Sequence, residues 1–221
     1  MYYQGGNVIR LHYCSRHKKV QAFTHRKYLH GKGEGYEECA DQLNTKLDSI
    51  IANIPLFYSQ RKGTSKEKWS EKFIQSQYVL KYCSQYIDSE FAYKVSPHDI
   101  RVDLIECKDG QIRFVELKRI DDARMLKKSE IDPEVVEQVR KYRKFLDEYE
   151  NDIVDYYIKL WNIKKDLKLP NTARPVSLNK EPLLLIFNRW QKTSTGRDEH
   201  IRNMEKRLQD NNIDYKIESE I

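Results

Sequence analysis

A chain of 221 residues with 39% hydrophobic and 33% charged residues is long enough to bury a substantial core, and one domain with an appendage is the natural organisation. No apolar run approaches membrane-spanning length, no signal peptide opens the sequence, and Cys14, Cys39, Cys83 and Cys107 lack a disulfide-framework spacing; together these predict a cytoplasmic protein with reduced thiols and no membrane association. The formal charge of +6 belongs wholly to residues 1–70, which hold 12 Lys/Arg and 6 Asp/Glu, while the remainder holds 28 of each.

In chain order, residues 7–13 and 19–24 read as short strands around the turn-prone Ser15-Arg16-His17. Residues 28–36 form a glycine-rich loop, and residues 37–53 have helical periodicity through Ala40, Leu43, Leu47, Ile50 and Ile51. Pro55 and the polar stretch 59–66 mark a boundary, leaving a basic extension, residues 1–60, ahead of a core of residues 61–221. Arg16, Lys18, Lys19, Arg26, Lys27 and Lys32 are its candidate contacts to an anionic partner, for which nucleic acid is the usual choice. An ordinary solvated surface is the alternative. The Cys-x-x-His spacing of Cys14 and His17, followed by His25, His30 and Cys39, invites a zinc reading, but the later intervals match no finger or ribbon.

Between residues 66 and 87, Trp69, Phe73, Leu80, Cys83 and Ile87 recur at helical spacing, which predicts a helix packed on a sheet. Residues 91–95 then begin a meander. Its next two strands, 101–107 and 111–118, flank Asp109-Gly110, a strong two-residue hairpin signal. That turn places Asp103 opposite Glu116, about 5 Å away, with Lys118 on the same face. Ile105, Cys107, Ile112 and Phe114 share the face, so two carboxylates and a lysine end a surface that a core would cover. Like charges are costly there unless a cation joins them, which points to a metal site. An ion pair on a solvated sheet face is the alternative, and the flanking apolar residues argue against it.

Residues 131–167 are the longest periodic segment, either one helix or two broken near Glu150-Asn151. Its stretch through Tyr157 and Trp161 offers a surface to a protein partner or a second copy. A loop containing Pro170, Pro175 and Pro182 precedes a strand at 183–187, then an amphipathic helix at 197–210 and an edge strand at 213–217.

Asp103 and Glu116-Leu117-Lys118, in this order on consecutive strands, resemble the signature of the PD-(D/E)xK nuclease family. Gln138 and Tyr142 are similar to the Gln-x-x-x-Tyr element of its RecB-like branches. Pro97-His98-Asp99 departs from a literal Pro-Asp pair. The resemblance covers roughly residues 67–150, with weaker support near Leu183. It implies an α/β fold with a restriction-endonuclease-like core, αβββαβ, whose mixed central sheet is flanked by helices, here carrying a helical insertion around 151–182. It also implies a Mg2+- or Mn2+-dependent deoxyribonuclease in which an acid from the first core helix, Glu71 or else Glu67, completes the metal shell. Both acids are equally well explained as N-terminal helix charges.

The chemistry suits these residue types. Magnesium takes hard oxygen ligands, which Asp103, Glu116 and the carbonyl of Leu117 can supply. Lys118 is placed to orient a water or stabilise transition-state charge, and Gln138 and Tyr142, one helical turn apart, to hold Lys118 or a phosphate. A non-catalytic nucleic-acid-binding or assembly protein on the same scaffold is the reading from a different class.

Overall fold

The computed structural model of the chain describes residues 2–3, 6–59, 71–96, 98–125, 134–190 and 194–220. They form two compact units, Met1–Gln77 and Tyr78–Ile221. In the first, β1 (Tyr2–Tyr3) pairs with β2 (Gly6–Asn7). β3 (Arg10–Cys14), β4 (Lys19–His25) and β5 (Tyr36–Glu38) form an antiparallel sheet in that order. Between β4 and β5 lies α1 (Arg26–His30), opened by the His25 side chain accepting the Lys27 N–H at 3.1 Å and closed by Gly31 at φ 72°. After β5 comes α2 (Leu43–Ser59). Val8, Ala22, Leu29, Cys39, Ile50 and Ile54 make this unit's core. Three expectations fail here. The glycine-rich loop is confined to residues 31–35, because Tyr28 to His30 belong to α1 and Tyr36 opens β5. Glu37 and Glu38 belong to β5, because pairing with β4 captures them ahead of the helix. The helix also runs past Pro55, since a proline removes one N–H and kinks a helix without obliging it to end.

The division between units falls inside α3 (Glu71–Lys81), not at the polar stretch 59–66, most of which, like Trp69 and Glu67, lies outside the described residues. This helix stops at Lys81, short of the predicted span. A turn follows, Ile87 enters a strand, and Leu80 and Cys83 are exposed instead of packed. The second unit then builds β6 (Tyr86–Val95), β7 (His98–Lys108) and β8 (Gln111–Arg119) as an antiparallel meander. Next come α4 (Glu134–Glu148) and α5 (Glu150–Asp166), two helices interrupted at Tyr149. β9 (Ser177–Phe187), α6 (Thr195–Asp210) and β10 (Asp214–Glu218) complete it. The sheet order is β10-β9-β8-β7-β6, with β9 parallel to both β8 and β10. The second unit is thus α/β, a mixed five-stranded sheet flanked by helices.

β9 starts six residues before the predicted strand and contains Pro182. The pairing jumps from Arg113↔Asn179 to Val115↔Leu183, so the extra residues bulge out and the proline's missing N–H costs no ladder bond. On one sheet face Ile105, Cys107, Ile112 and Phe114 pack against Tyr142, Phe145 and Leu146 of α4 and Ile153 and Tyr157 of α5. A second stripe of α4, Val135, Val136 and Val139, joins Leu184 and Ile186 of β9 and Met204 and Leu208 of α6. Each such side chain contributes about 1.5–3 kcal/mol by leaving water. Among the described residues, no helix is long and apolar enough to cross a membrane.

The turn at Asp109 and Gly110 has φ of 51° and 82°, the double left-handed conformation that suits the twist of a hairpin. A Cβ on Gly110 would meet the Arg174 carbonyl oxygen at 2.9 Å and a Val176 methyl at 3.0 Å. Gly110→Ala is therefore expected to lower stability by about 2–4 kcal/mol, the left-handed penalty plus overpacking. Gly31→Ala, also at positive φ but with nothing within 4 Å, should cost only about 1–2 kcal/mol. Urea denaturation of the two variants gives the comparison, and equal losses would show that the contacts with Arg174 and Val176 do not matter.

Candidate functional site

β7 and β8 pair regularly from Lys108↔Gln111 to Leu104↔Val115, the register that the Asp-Gly turn dictates. Asp103 stands one position beyond the last pair. There the strand departs from strict alternation. Ile100 and Val102 share the apolar cluster of Ile105 and Cys107, so the buried side slips by one across Asp103 and Leu104. On the neighbouring strand, Glu90 (φ 60°) lies between the pairs Ser89↔Leu104 and Phe91↔Val102, facing the same slip. Asp103 uses the opening differently from the expected side-by-side arrangement. Its Oδ2 accepts the Leu117 backbone N–H at 2.9 Å, taking the part that a β7 carbonyl plays in an unbroken ladder.

A residue's N–H and C=O point to the same neighbouring strand. Leu117 therefore aims its carbonyl at the gap where Asp103 sits. The side chains on either side of it point to the covered face. Lys118 is fully buried and Glu116 is 4% exposed, a placement that charged residues tolerate only when paired and hydrogen-bonded. Lys118 Nζ donates to Glu116 Oε1 and, at 3.3 Å, to the Leu117 carbonyl. Gln138 Nε2 donates to the same Glu116 oxygen at 2.8 Å and to the Tyr142 hydroxyl at 2.7 Å. That hydroxyl lies 2.7 Å from Glu116 Oε2 and also reaches the Arg101 carbonyl. Burial, with the Glu116 carboxylate beside it, holds the Tyr142 hydroxyl far above the ordinary tyrosine range, so it acts as a neutral donor.

Five of the sequence-derived residues thus meet at one place: Asp103, Glu116, Lys118, Gln138 and Tyr142, with the Leu117 carbonyl among them. Gln138 and Tyr142 engage Glu116 and not Lys118. Glu71 opens α3 and falls in the other unit. In the N-terminal unit, Arg16, Lys18, Lys19 and Lys32 are exposed. Arg26 is paired with Glu37 at 3.3 Å and Lys27 with Glu34 at 2.5 Å, which reduces their share of the basic surface. The zinc candidates do not converge. Cys14 contacts His17 at 3.2 Å, His25 caps α1, and His30 pairs with Glu37 at 3.2 Å. Among the described residues no group of three or more His, Cys, Asp or Glu side chains gathers as a metal cage.

Three cations near the site escaped the sequence reading. A cavity of about 290 Å3 is lined by Arg101, Arg124 and Lys141, by the acids Asp99, Glu134 and Glu137, and by Gln138 and Tyr142; Arg101 lies 3.7 Å from Asp99 and Arg124 pairs with Asp122 at 2.6 Å. Arg101 is two residues from Asp103, and Lys141 lies on the helix between Gln138 and Tyr142. Position along the strand and helix was the available signal, but Arg124 joins only through tertiary packing. A divalent ion suits the donors present, since Asp103, Glu116 and Leu117 offer hard oxygens and the Lys118 ammonium already bridges two of them. With two carboxylates, the rest of a magnesium shell would be water and substrate oxygen.

Breaking the buried pair exposes its energetics. Lys118→Met strands the Glu116 charge and is expected to cost about 3–5 kcal/mol in urea denaturation, whereas Glu116→Gln combined with Lys118→Met should cost clearly less than that single change. A double variant at least as unstable as Lys118→Met would show that shape, not charge, dominates here. Comparison of the chain with models of protein families, with curated proteins and with solved structures found no match.

Proposed function

We propose that the chain is a metal-dependent nuclease that hydrolyses phosphodiester bonds in DNA, with a restriction-endonuclease-like core of the PD-(D/E)xK type. The observation that carries this reading is the opening of the β7–β8 ladder at Asp103, which turns the Leu117 carbonyl toward that acid beside the Glu116–Lys118 pair. Asp103, Glu116 and the Leu117 carbonyl would hold Mg2+ or Mn2+. Such an ion, when bound, activates water and offsets charge on phosphate oxygens.

The protein's own residues have separable parts. Gln138 and Tyr142 fix the Glu116 carboxylate through both oxygens, which keeps it in one orientation. Lys118 brings a positive charge into a site from which water is largely excluded, where it stabilises developing negative charge more strongly than in bulk solvent. Lys141 lines the adjoining cavity and suits a phosphate oxygen, while Arg101 and Arg124 there are already engaged by Asp99 and Asp122. Exposed Arg16, Lys18, Lys19 and Lys32 extend the basic surface of the other unit, available to DNA.

One observation favours the second reading, a non-catalytic nucleic-acid-binding or assembly protein. Both Glu116 oxygens already have protein partners, as in a purely structural network. The deciding experiment incubates the full chain with linear, nicked, circular and single-stranded DNA in magnesium and in manganese. Asp103→Asn and Glu116→Gln serve as variants, being close in shape and checked for folding by circular dichroism. The nuclease reading expects cleavage of at least one form, its loss on chelation, and a fall of a hundredfold or more in each variant, on the order found for removing a transition-state contact. Binding without cleavage in either metal would leave the scaffold reading standing.

A further inference from the structure

We propose that an exposed stripe along α5 is a self-association surface, on which a second copy of the chain lays its own α5 in antiparallel orientation. Tyr156, Leu160, Ile163 and Leu167 lie four, three and four residues apart, the spacing of a coiled-coil seam. The helix already has an inward side. Ile153 and Tyr157 are buried in the cluster that faces the sheet, Trp161 donates its indole N–H to the Thr172 carbonyl at 2.9 Å, and Lys164 donates to the Ile87 carbonyl at 3.0 Å. At about 100° per residue, the seam sits roughly a quarter-turn from that side. The surface offered to a partner is therefore not the stretch through Tyr157 and Trp161, which the chain's own core takes, but the stripe beside it.

Tyr156, Ile163 and Leu167 are 49%, 54% and 63% exposed, and Leu160 is half-buried between them. Single apolar side chains on a surface are ordinary, but four in register over about three turns of one helix form a continuous ridge. The ridge is its own complement. In an antiparallel pair, Tyr156 meets the partner's Leu167 while Leu160 meets the partner's Ile163. Every layer is then closed by two large side chains, and each contact is repeated across a two-fold axis.

Charge selects the second copy and its direction. Glu150, Asp152 and Asp155 fall in the first half of α5, and Lys159, Lys164 and Lys165 in the second. A parallel pair would set acid against acid and base against base, whereas the antiparallel pair sets the acidic half against the basic half. It also brings Lys159 beside the partner's Asp166, twice by symmetry, because these two exposed residues lie seven apart on one flank of the seam. A partner of uniform charge, such as nucleic acid, would be repelled by one half of this face. The helix dipole accounts for acids at one end and lysines at the other, but not for the apolar seam that runs between them.

Sedimentation equilibrium of the full chain tests the pairing. A single helix pair buries less than the roughly 800 Å2 per partner of a stable complex, so a dissociation constant of about 10–100 μM is expected. Ile163→Asp should weaken the dimer about tenfold or more while leaving thermal melting unchanged, since that side chain is already half in water. Lys159→Glu and Asp166→Lys should each weaken it several-fold by placing like charges together, and the two combined should restore wild-type affinity. A chain that stays monomeric up to about 500 μM, a dimer indifferent to Ile163→Asp, or a double variant no tighter than the single ones would overturn the proposal. So would a dimer broken by Leu11→Asp but not by Ile163→Asp, which would place the contact on the exposed β3–β4 hairpin instead.

Discussion

The second unit depends on a charge pair hidden under a helix. Lys118 and Glu116 leave water almost completely, and their desolvation is a penalty that a lone contact between them does not offset. The balance is restored from α4, whose Gln138 and Tyr142 supply the remaining hydrogen bonds to Glu116. This couples the helix to the sheet by more than apolar packing. Val139 must sit in one cluster while Tyr142 and Phe145 sit in the other, so α4 has a single rotation that satisfies the charges and both cores. Specificity of packing and geometry of the site are thus one constraint.

The same constraint explains the break in the sheet. An unbroken β7–β8 ladder would occupy the Leu117 N–H and carbonyl with backbone partners. Because the alternation slips at Asp103, a side-chain carboxylate takes the N–H and the carbonyl turns to the Lys118 ammonium. Backbone and side-chain oxygens are brought together where two strands separate, close to the cavity that Arg101, Arg124 and Lys141 share with Asp99, Glu134 and Glu137.

Much of this was readable in the sequence, for identifiable reasons. Asp109-Gly110 specifies a turn type, the turn specifies the register, and period-two alternation then puts Ile112, Phe114, Glu116 and Lys118 on one side. Gln138 and Tyr142 were legible as neighbours from helical spacing and as site residues from resemblance alone; that their partner is Glu116 depends on how α4 docks. The slip at Asp103 was not legible, because alternation assumes the very regularity that fails there. Tertiary pairing also overrode local pattern where β5 took Glu37 and Glu38 and where β6 took Ile87. Pro55 and Pro182 both misled as punctuation. One lies within a helix, and the other in a bulge that needs no donor. The place of Arg124 beside the site was invisible, since a contact between distant segments creates it.

The left-handed backbone at Glu90 has a consequence outside the site. β6 is ten residues long and lies at the margin of the sheet, with β7 on one side and, among the described residues, no strand beyond it. A flat margin of that length is a template on which another chain can lay down a strand and start an aggregate. Glu90 interrupts it midway, at φ 60°, and places a negative charge at the break. Neither half is then long enough to hold an incoming strand in continuous register. The irregularity that faces the opening at Asp103 therefore also protects the protein against edge-to-edge association, at a position where a straight strand would leave it vulnerable.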